Sequence, residues 1–400
     1  MKTVTLREIT LNITDGKHGD CEPAENSGYY FVSCKDVNNG TIDYANARQI
    51  SERAFLETHK RTQLEPNDIL ITNSGTIGRM ALVKDIPETY RTTFQKSVAI
   101  VKPDISVVLP TYLYYKLQNC VTDFVNCSNG SAQKNLLLGT MRKFQIDLHE
   151  DFAEQERLSS ILAAYDNLIE NNQKQIKLLE EAARRLYKEW FVNFRFPGYE
   201  DTPIVDGVPE GWEEAPIDSR ISLLSGYAFK SAQFDSSGEY KIVTIKNVKD
   251  GEFDGINTNR IVSIPGKTPK HCVLTDGDIL LSLTGNVGRT CIVNGNNYLL
   301  NQRIAKLQSD IPAFTYCLFR SSDMFDAMNN LANGTAQQNL SPIRTGKISI
   351  LFPADNLLEE FERIVGSMIS KMLSLIKQCD LLIQARDRLL PKLMSGEIEV

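Results

Sequence analysis

The sequence predicts an α+β chain built as an internal duplication, in which two similar mixed globular blocks are each followed by a long helix. Three observations carry that prediction. First, Leu158, Leu162, Tyr165, Ile169, Asn172, Ile176, Leu179, Ala183, Leu186 and Trp190 alternate four and three residues apart, the seam of a helix packed lengthwise on another helix. Second, adding 203 to each position lands on a matching seam: Phe361, Val365, Met368, Met372, Leu375, Cys379, Leu382, Arg386, Leu389 and Leu393. Third, the segments ahead of the two seams repeat one another at offsets that only fall, from 211 to 203. Such offsets describe one ordered duplication whose second copy has lost a few loop residues.

In order along the chain, Lys35, Val37, Gly40 and Asp43 match Lys246, Val248, Gly251 and Asp254 at an offset of 211. Leu64 to Val83 then matches Leu274 to Val293 at eight of twenty positions, among them Asp68-Ile69-Leu70, Gly75, Gly78 and Arg79. Ile69 to Thr72 and Met80 to Val83 are short β-prone runs around two close glycines, which reads as a hairpin tip. The second copy repeats this as Ile279 to Ser282 and Cys291 to Val293. Pro110 to Leu117 and Pro312 to Arg320 read as short aromatic helices, and otherwise each block reads mainly as strands. Near the end of each block, Ser128 to Leu136 matches Ala332 to Leu340 at six of nine positions.

The central helix starts at Asp151 with Glu154 as a capping box, and stops at Pro197-Gly198. Prolines and glycines crowd the segment between Phe196 and Trp212, which reads as a surface hinge. The resulting division is a first block over 1–150, a helix over 151–192, a linker over 193–212, a second block over 213–354 and a C-terminal helix over 355–400.

Composition narrows the function. With 42% hydrophobic and 24% charged residues the chain is globular, and no run approaches a membrane span or a secretory signal, so the expectation is a cytoplasmic protein with no membrane partner. Eight cysteines form no Cys-x-x-Cys pair and four histidines are scattered, which reads as buried thiols without a metal site. Walker, dinucleotide-binding, zinc-protease and nucleophile-elbow motifs are all missing, as is the Asn/Asp-Pro-Pro-aromatic run of amino-methyltransferases. Net charge is −6, and no segment is basic overall; residues 1–150 balance 17 basic against 17 acidic groups. Nucleic-acid binding must therefore rest on local patches or on partners that neutralise phosphate.

The duplicated blocks, the heptad helices, the glycine hairpins and the paired Asn-Gly-Ser/Thr-Ala-Gln-x-Asn-Leu motifs together resemble the specificity subunit of type I restriction-modification systems. Gly211-Trp212, Gly226-Tyr227-Ala228-Phe229, Asn301-Gln302-Arg303 and the ending Leu389 to Ile398 are similar to that family too. The resemblance covers essentially the whole chain. It implies two similar mixed α/β target recognition domains joined by two long antiparallel coiled-coil helices about a pseudo-twofold. It implies a non-catalytic reader of double-stranded DNA, each block taking one half of a bipartite target. The partners would be methyltransferase subunits, two of them, and restriction subunits; S-adenosylmethionine, ATP and Mg²⁺ belong to those partners, with no cofactor on this chain. The alternative is a coiled-coil scaffold or adaptor whose blocks bind protein, which the acidic balance favours.

Two domains reading different half-sites should differ where they touch bases. Asn73 faces Leu283, Thr76 faces Asn286 and Lys134 faces Gln338, so these positions, with Ser74 and Thr284 beside them, are candidates for base reading. Arg79 and Arg289 occur in both copies and are candidates for phosphate contact, with an ion pair to Asp68 or Asp278 as the equal alternative. Gln95-Lys96 and Gln302-Arg303 are matched to each other as further phosphate contacts. In the Asn-Gly motifs, Ser131, Gln133, Thr335 and Gln337 are DNA-binding candidates, since a carboxamide pairs with adenine. Asn135 and Asn339 read instead as helix caps. On the seam, Asn172 either sets register or faces a gap, and Arg386 is a candidate meeting point for a partner subunit.

Overall fold

The computed structural model describes residues 1–38, 40–130, 134–332 and 338–398. It divides into two compact units, Met1–Leu168 with Leu382–Val400, and Ile169–Leu381.

The two units repeat one architecture. The first has a four-stranded antiparallel sheet in the order Thr10–Asp15, Val98–Pro103, Ile69–Thr72, Met80–Leu82. Its counterpart in the second runs Ser222–Ser225, Ile304–Gln308, Ile279–Ser282, Thr290–Ile292. The run Ile69-Leu70-Ile71 is apolar at every position because both faces of the sheet are covered. Ile69 and Ile71 pack with the helix Pro110–Asn119 on one face, and Leu70 packs on the other with Val32 and Phe94 of a smaller sheet. Ile279 and Leu281 face the helix Pro312–Phe319 while Leu280 faces the small sheet, so the two-residue period of a strand sorts the same residues twice. In each unit the small sheet contains one parallel pair, Tyr30–Val32 beside Thr92–Phe94 and Tyr240–Val243 beside Tyr298–Leu300. Each block is closed by an outer strand pair, Lys2–Thr5 with Gln145–Leu148 and Glu213–Pro216 with Ser349–Phe352, which brings its two ends together.

A helix over Glu52–Thr62 interrupts the strand-rich reading of the first block. Ser51 caps it by accepting from the Ala54 amide, and it buries Ala54 and Phe55. Its apolar residues, Ala54, Phe55 and Leu56, are consecutive and span less than one turn, too few to show a helical period.

The central helix runs Phe152–Tyr187 and continues as a π-helical turn over Lys188–Val192; the C-terminal helix runs Asp355–Ser395. Within the second unit the Trp190 and Phe361 rings lie 5.8 Å apart, the Asn172 amide donates to Gln378 at 3.4 Å, and the Cys379 thiol meets the Ile169 carbonyl at 3.8 Å. Numbers rise along one helix as they fall along the other, so the pair is antiparallel. Within the first unit Leu158 and Leu162 share a core with Leu393. Asn172 is buried, and its amide finds a partner rather than a gap. Replacing Asn172 by Leu should raise stability by about 1 kcal/mol, read as a higher urea midpoint, because it exchanges a buried amide for apolar contact on an otherwise apolar seam.

The structure adds to three expectations. Asp151 does cap, accepting from the Ala153 amide, but Glu154 reaches His149 at 2.8 Å rather than closing a capping box. Arg386 is held within the first unit: it pairs with Asp166 at 2.6 Å and Asp387 at 2.8 Å, and the Tyr115 hydroxyl donates to the same Asp166. The linker is not a free hinge. Phe196 and Trp212 are buried, their rings 5.3 Å apart, and Phe194 sits edge-on to the same indole, because these rings gain more by covering the helix end than by staying in water, while most of 197–207 between them stays on the surface.

Candidate nucleic-acid interface

The hairpin tip is built identically in both blocks. Gly75 and Gly78 adopt φ of 77° and 90°, Gly285 and Gly288 of 75° and 81°, a left-handed backbone that a side chain at these positions would strain. Thr72 spans the first tip, its hydroxyl donating to the Thr76 carbonyl and accepting the Arg79 amide at 2.9 Å. Ser282 does the same for Asn286 and Arg289. The tips thereby expose Thr76 and Asn286, with Arg79 exposed and Arg289 half-buried beside them.

Two further segments lie against each tip. The Leu136 amide donates to the Asn73 carbonyl and the Leu340 amide to the Leu283 carbonyl, both at 2.8 Å, and Ser74 and Thr284 bridge to Asn135 and Asn339. On the other side, the Asn73 amide donates to the Ser97 carbonyl and the Leu283 amide to the Arg303 carbonyl, both at 3.0 Å. Each block thus assembles one rim from three segments far apart in sequence, and it does so with the same main-chain bonds. In the second block the rim encloses a hollow of about 600 Å³ lined by Thr284, Gln302, Arg303, Asn339 and Ser341 among others.

These bonds place the candidates as follows. Lys96, Lys134, Gln302, Arg303 and Gln338 are exposed on the rim, and Gln95, Ser74 and Thr284 are half-buried in it. Ser131, Gln133, Thr335 and Gln337 lie outside the described residues. Asn73 is not on the rim: it is 7% exposed, both its main-chain groups are bonded, and its counterpart Leu283 is 4% exposed. Asn135 and Asn339 are not helix caps; the helix Leu138–Lys143 begins at Leu137 without a side-chain cap, and Ser341 caps Pro342–Gly346.

The pairing of Gln95-Lys96 with Gln302-Arg303 is off by one residue. The Lys96 amide donates to the Lys17 carbonyl as the Gln302 amide does to Tyr227, so Lys96 matches Gln302, and Arg303 matches the buried Ser97. Arg303 is therefore a feature of the second block alone. The same bonds bring Lys17 and Tyr227 to the rim, residues with no assigned role in the sequence reading of the interface. The signal was present, since Gly16-Lys17 and Gly226-Tyr227 match at the hairpin offset of 210. A Cβ at Gly16 or Gly226 would lie 1.9 Å from the Phe94 carbonyl oxygen or 2.2 Å from that of Asn301, so only glycine permits this approach.

Arg79 and Arg289 do not supply the ion pairs to Asp68 and Asp278. A lysine from the neighbouring strand does, Lys102 to Asp68 at 2.7 Å and Lys306 to Asp278 at 2.8 Å, both beneath the hairpin. Burial raises the Asp68 pKa despite the Lys102 ammonium, whose hydrogen bond pulls it down. Among the described residues no cluster of His, Cys, Asp and Glu could hold a metal ion, and no helix is long and apolar enough to cross a membrane.

The family model of the type I restriction modification DNA specificity domain matches the chain twice, over residues 15–181 and 209–368. The chain belongs to this family. Its type I restriction-modification relatives include the MjaIX specificity subunit of Methanocaldococcus jannaschii, 26% identical across 92% of this chain and 87% of the relative. The HindI specificity subunit of Haemophilus influenzae is 21% identical across 99% of both chains. The crystal structure of the S subunit from M. genitalium superimposes with a TM-score of 0.59 at 14% identity, covering 98% of this chain and 95% of that one, and so shares its fold. The specificity-domain match spans both copies of the rim, and the duplicated blocks are the two specificity domains of a type I specificity subunit.

Proposed function

We propose that this specificity subunit reads a bipartite DNA target, each rim taking one half-site in the major groove, and directs adenine methylation and cleavage that partner subunits carry out. The observation that supports this reading is the twofold assembly of the same rim with different exposed side chains: Thr76, Lys96 and Lys134 in the first block, and Asn286, Gln302, Arg303 and Gln338 in the second. Identical main-chain geometry with divergent side chains is what two readers of unlike half-sites require. The antiparallel helices, 36 and 41 residues long, are rods of about 54 and 62 Å at 1.5 Å per residue, longer than the 34 to 36 Å of one DNA turn. On this reading they serve as spacer and as seat for two methyltransferase subunits, with restriction subunits joining the complex. S-adenosylmethionine, ATP and Mg²⁺ act on those partners.

The test is to co-express the chain with its methyltransferase subunit in cells lacking adenine methylation and to map N6-methyladenine by single-molecule sequencing. A gapped two-part motif that disappears when this chain is omitted is the expected result. A motif indifferent to the chain would point instead to a protein-binding scaffold. In the same assay Asn286→Ala should relax one half of the motif and Lys134→Ala the other, each contact carrying about 1–3 kcal/mol of discrimination. A uniform loss of methylation in both halves would rule out base reading at these positions.

A further inference from the structure

The strand and helix that close the first block carry a second basic site, away from the rim. The 3₁₀ turns Leu6–Glu8 and Ile217–Ser219 are equivalent, since the Leu6 amide donates to the Phe144 carbonyl and the Ile217 amide to that of Ile348. That equivalence sets Arg7 against Asp218, Arg142 against Gly346 and Lys143 against Lys347. In the second block Lys347 pairs with Asp218 at 2.7 Å, and Gly346 leaves room for that carboxylate: a Cβ there would stand 3.0 Å from the Asp218 Cβ. In the first block the acid is replaced by Arg7 and the glycine by Arg142, so one neutralised pair becomes three cations.

A hollow of about 460 Å³ opens at this point, lined by Arg7, Thr10, Leu11, Asn12, Ile13 and Arg142. Among the described residues its lining contains no carboxylate. The nearby acids are engaged elsewhere: Glu8 accepts from the Thr5 amide and hydroxyl at 2.6 Å, and Asp104 accepts from Ser106 at 2.6 Å. Arg142 is aimed by a bond from its guanidinium to the Ile13 carbonyl, while Arg7 is exposed and Asn12 adds an exposed amide. Two guanidiniums and a carboxamide around a polar hollow suit a phosphate, which accepts from several donors at once. Arg142 lies at the far end of the helix Leu138–Lys143, about 9 Å long, whose preceding residues Asn135 and Leu136 are pinned to the hairpin tip.

We infer that Arg7, Asn12 and Arg142 form a clamp for a DNA backbone phosphate flanking the half-site of the first block, absent from the second. The inference rests on the DNA reading above. The clamp contributes affinity without sequence information, so the two halves of the chain hold the duplex unequally.

The test uses the complex assembled with its methyltransferase subunit, and Arg7→Asp, which restores the acid of the second block opposite Lys143. Binding is measured from low to high salt on a duplex carrying the methylated motif and on a scrambled duplex of equal length. The expected result is a salt slope of log K smaller by about 1 on both duplexes, with the methylated motif unchanged. Arg7→Ala should show the same shift, which covers the case of a poorly folded aspartate variant. An unchanged slope while the unaltered complex binds DNA overturns the clamp and leaves the DNA reading standing. Weakened subunit assembly with an unchanged slope also overturns it, and assigns the cations to an acidic protein surface. An unaltered complex that binds neither duplex removes the DNA reading and the clamp together.

Discussion

Phe191→Ala should destabilise the second unit by about 3–5 kcal/mol, lowering the urea midpoint by about 1 M or more at ordinary slopes. The Phe191 ring lies within 4.8 to 6.0 Å of Tyr187, Trp190, Trp212, Phe314 and Phe361, and so touches the central helix, the linker, the second block and the C-terminal helix at once. Truncation leaves a cavity among stiff rings that cannot collapse into it. Phe191→Leu keeps most of the volume and should cost a fraction of that. Both tryptophans of the chain, Trp190 and Trp212, stand beside this ring, so intrinsic fluorescence reports the transition directly. A loss under 1 kcal/mol for the alanine variant would show that the aromatic cluster is not what holds the second block to its helices.

The second large effect is expected at Arg320. Its side chain is 4% exposed and its guanidinium pairs with Glu180 of the central helix at 2.6 Å and Asp250 at 2.8 Å, over the Tyr316 ring. Arg320→Met should cost about 3–5 kcal/mol, because it strands the largely covered Glu180 carboxylate without its counter-charge. Adding Glu180→Met should recover much of that loss, since the second change removes the unpaired charge; strict additivity would mean that the pair does not couple. Gly251 belongs to the same arrangement. Its φ is 77°, and a Cβ there would come within 2.5 Å of the Arg320 guanidinium; its counterpart Gly40 has the same φ, but a Cβ there would meet the Tyr114 hydroxyl at 2.8 Å.

Much of this architecture is legible in one dimension because its signals are local or periodic. The hairpins announce themselves by paired glycines, and the helices by an uninterrupted alternation of four and three. The misreadings have a common form. Arg386 and Asp166 are 220 residues apart and Arg320 and Glu180 are 140 apart, so no spacing rule connects them. Asn73 and its counterpart Leu283 diverge between the copies, yet both are buried, so divergence by itself does not place a side chain on the rim. The register of Lys96 against Gln302 slipped by one because a short match tolerates either alignment, whereas main-chain hydrogen bonds tolerate only one.

Residue order alone establishes that the chain is a duplication, that each copy ends in a long seam-bearing helix, and that a glycine hairpin and an Asn-Gly motif recur in the same order. Those features depend on periodicity and on backbone angles that only certain residues accept, and both are written in the order of residues. Tertiary packing alone brings the hairpin, the Asn-Leu segment and the segment ending at Ser97 or Arg303 into one rim, buries Trp212 of the linker, and sets Arg7 where the second copy has Asp218. Those facts depend on which distant groups meet, and burial and hydrogen bonding select that among many partners the chain order leaves open.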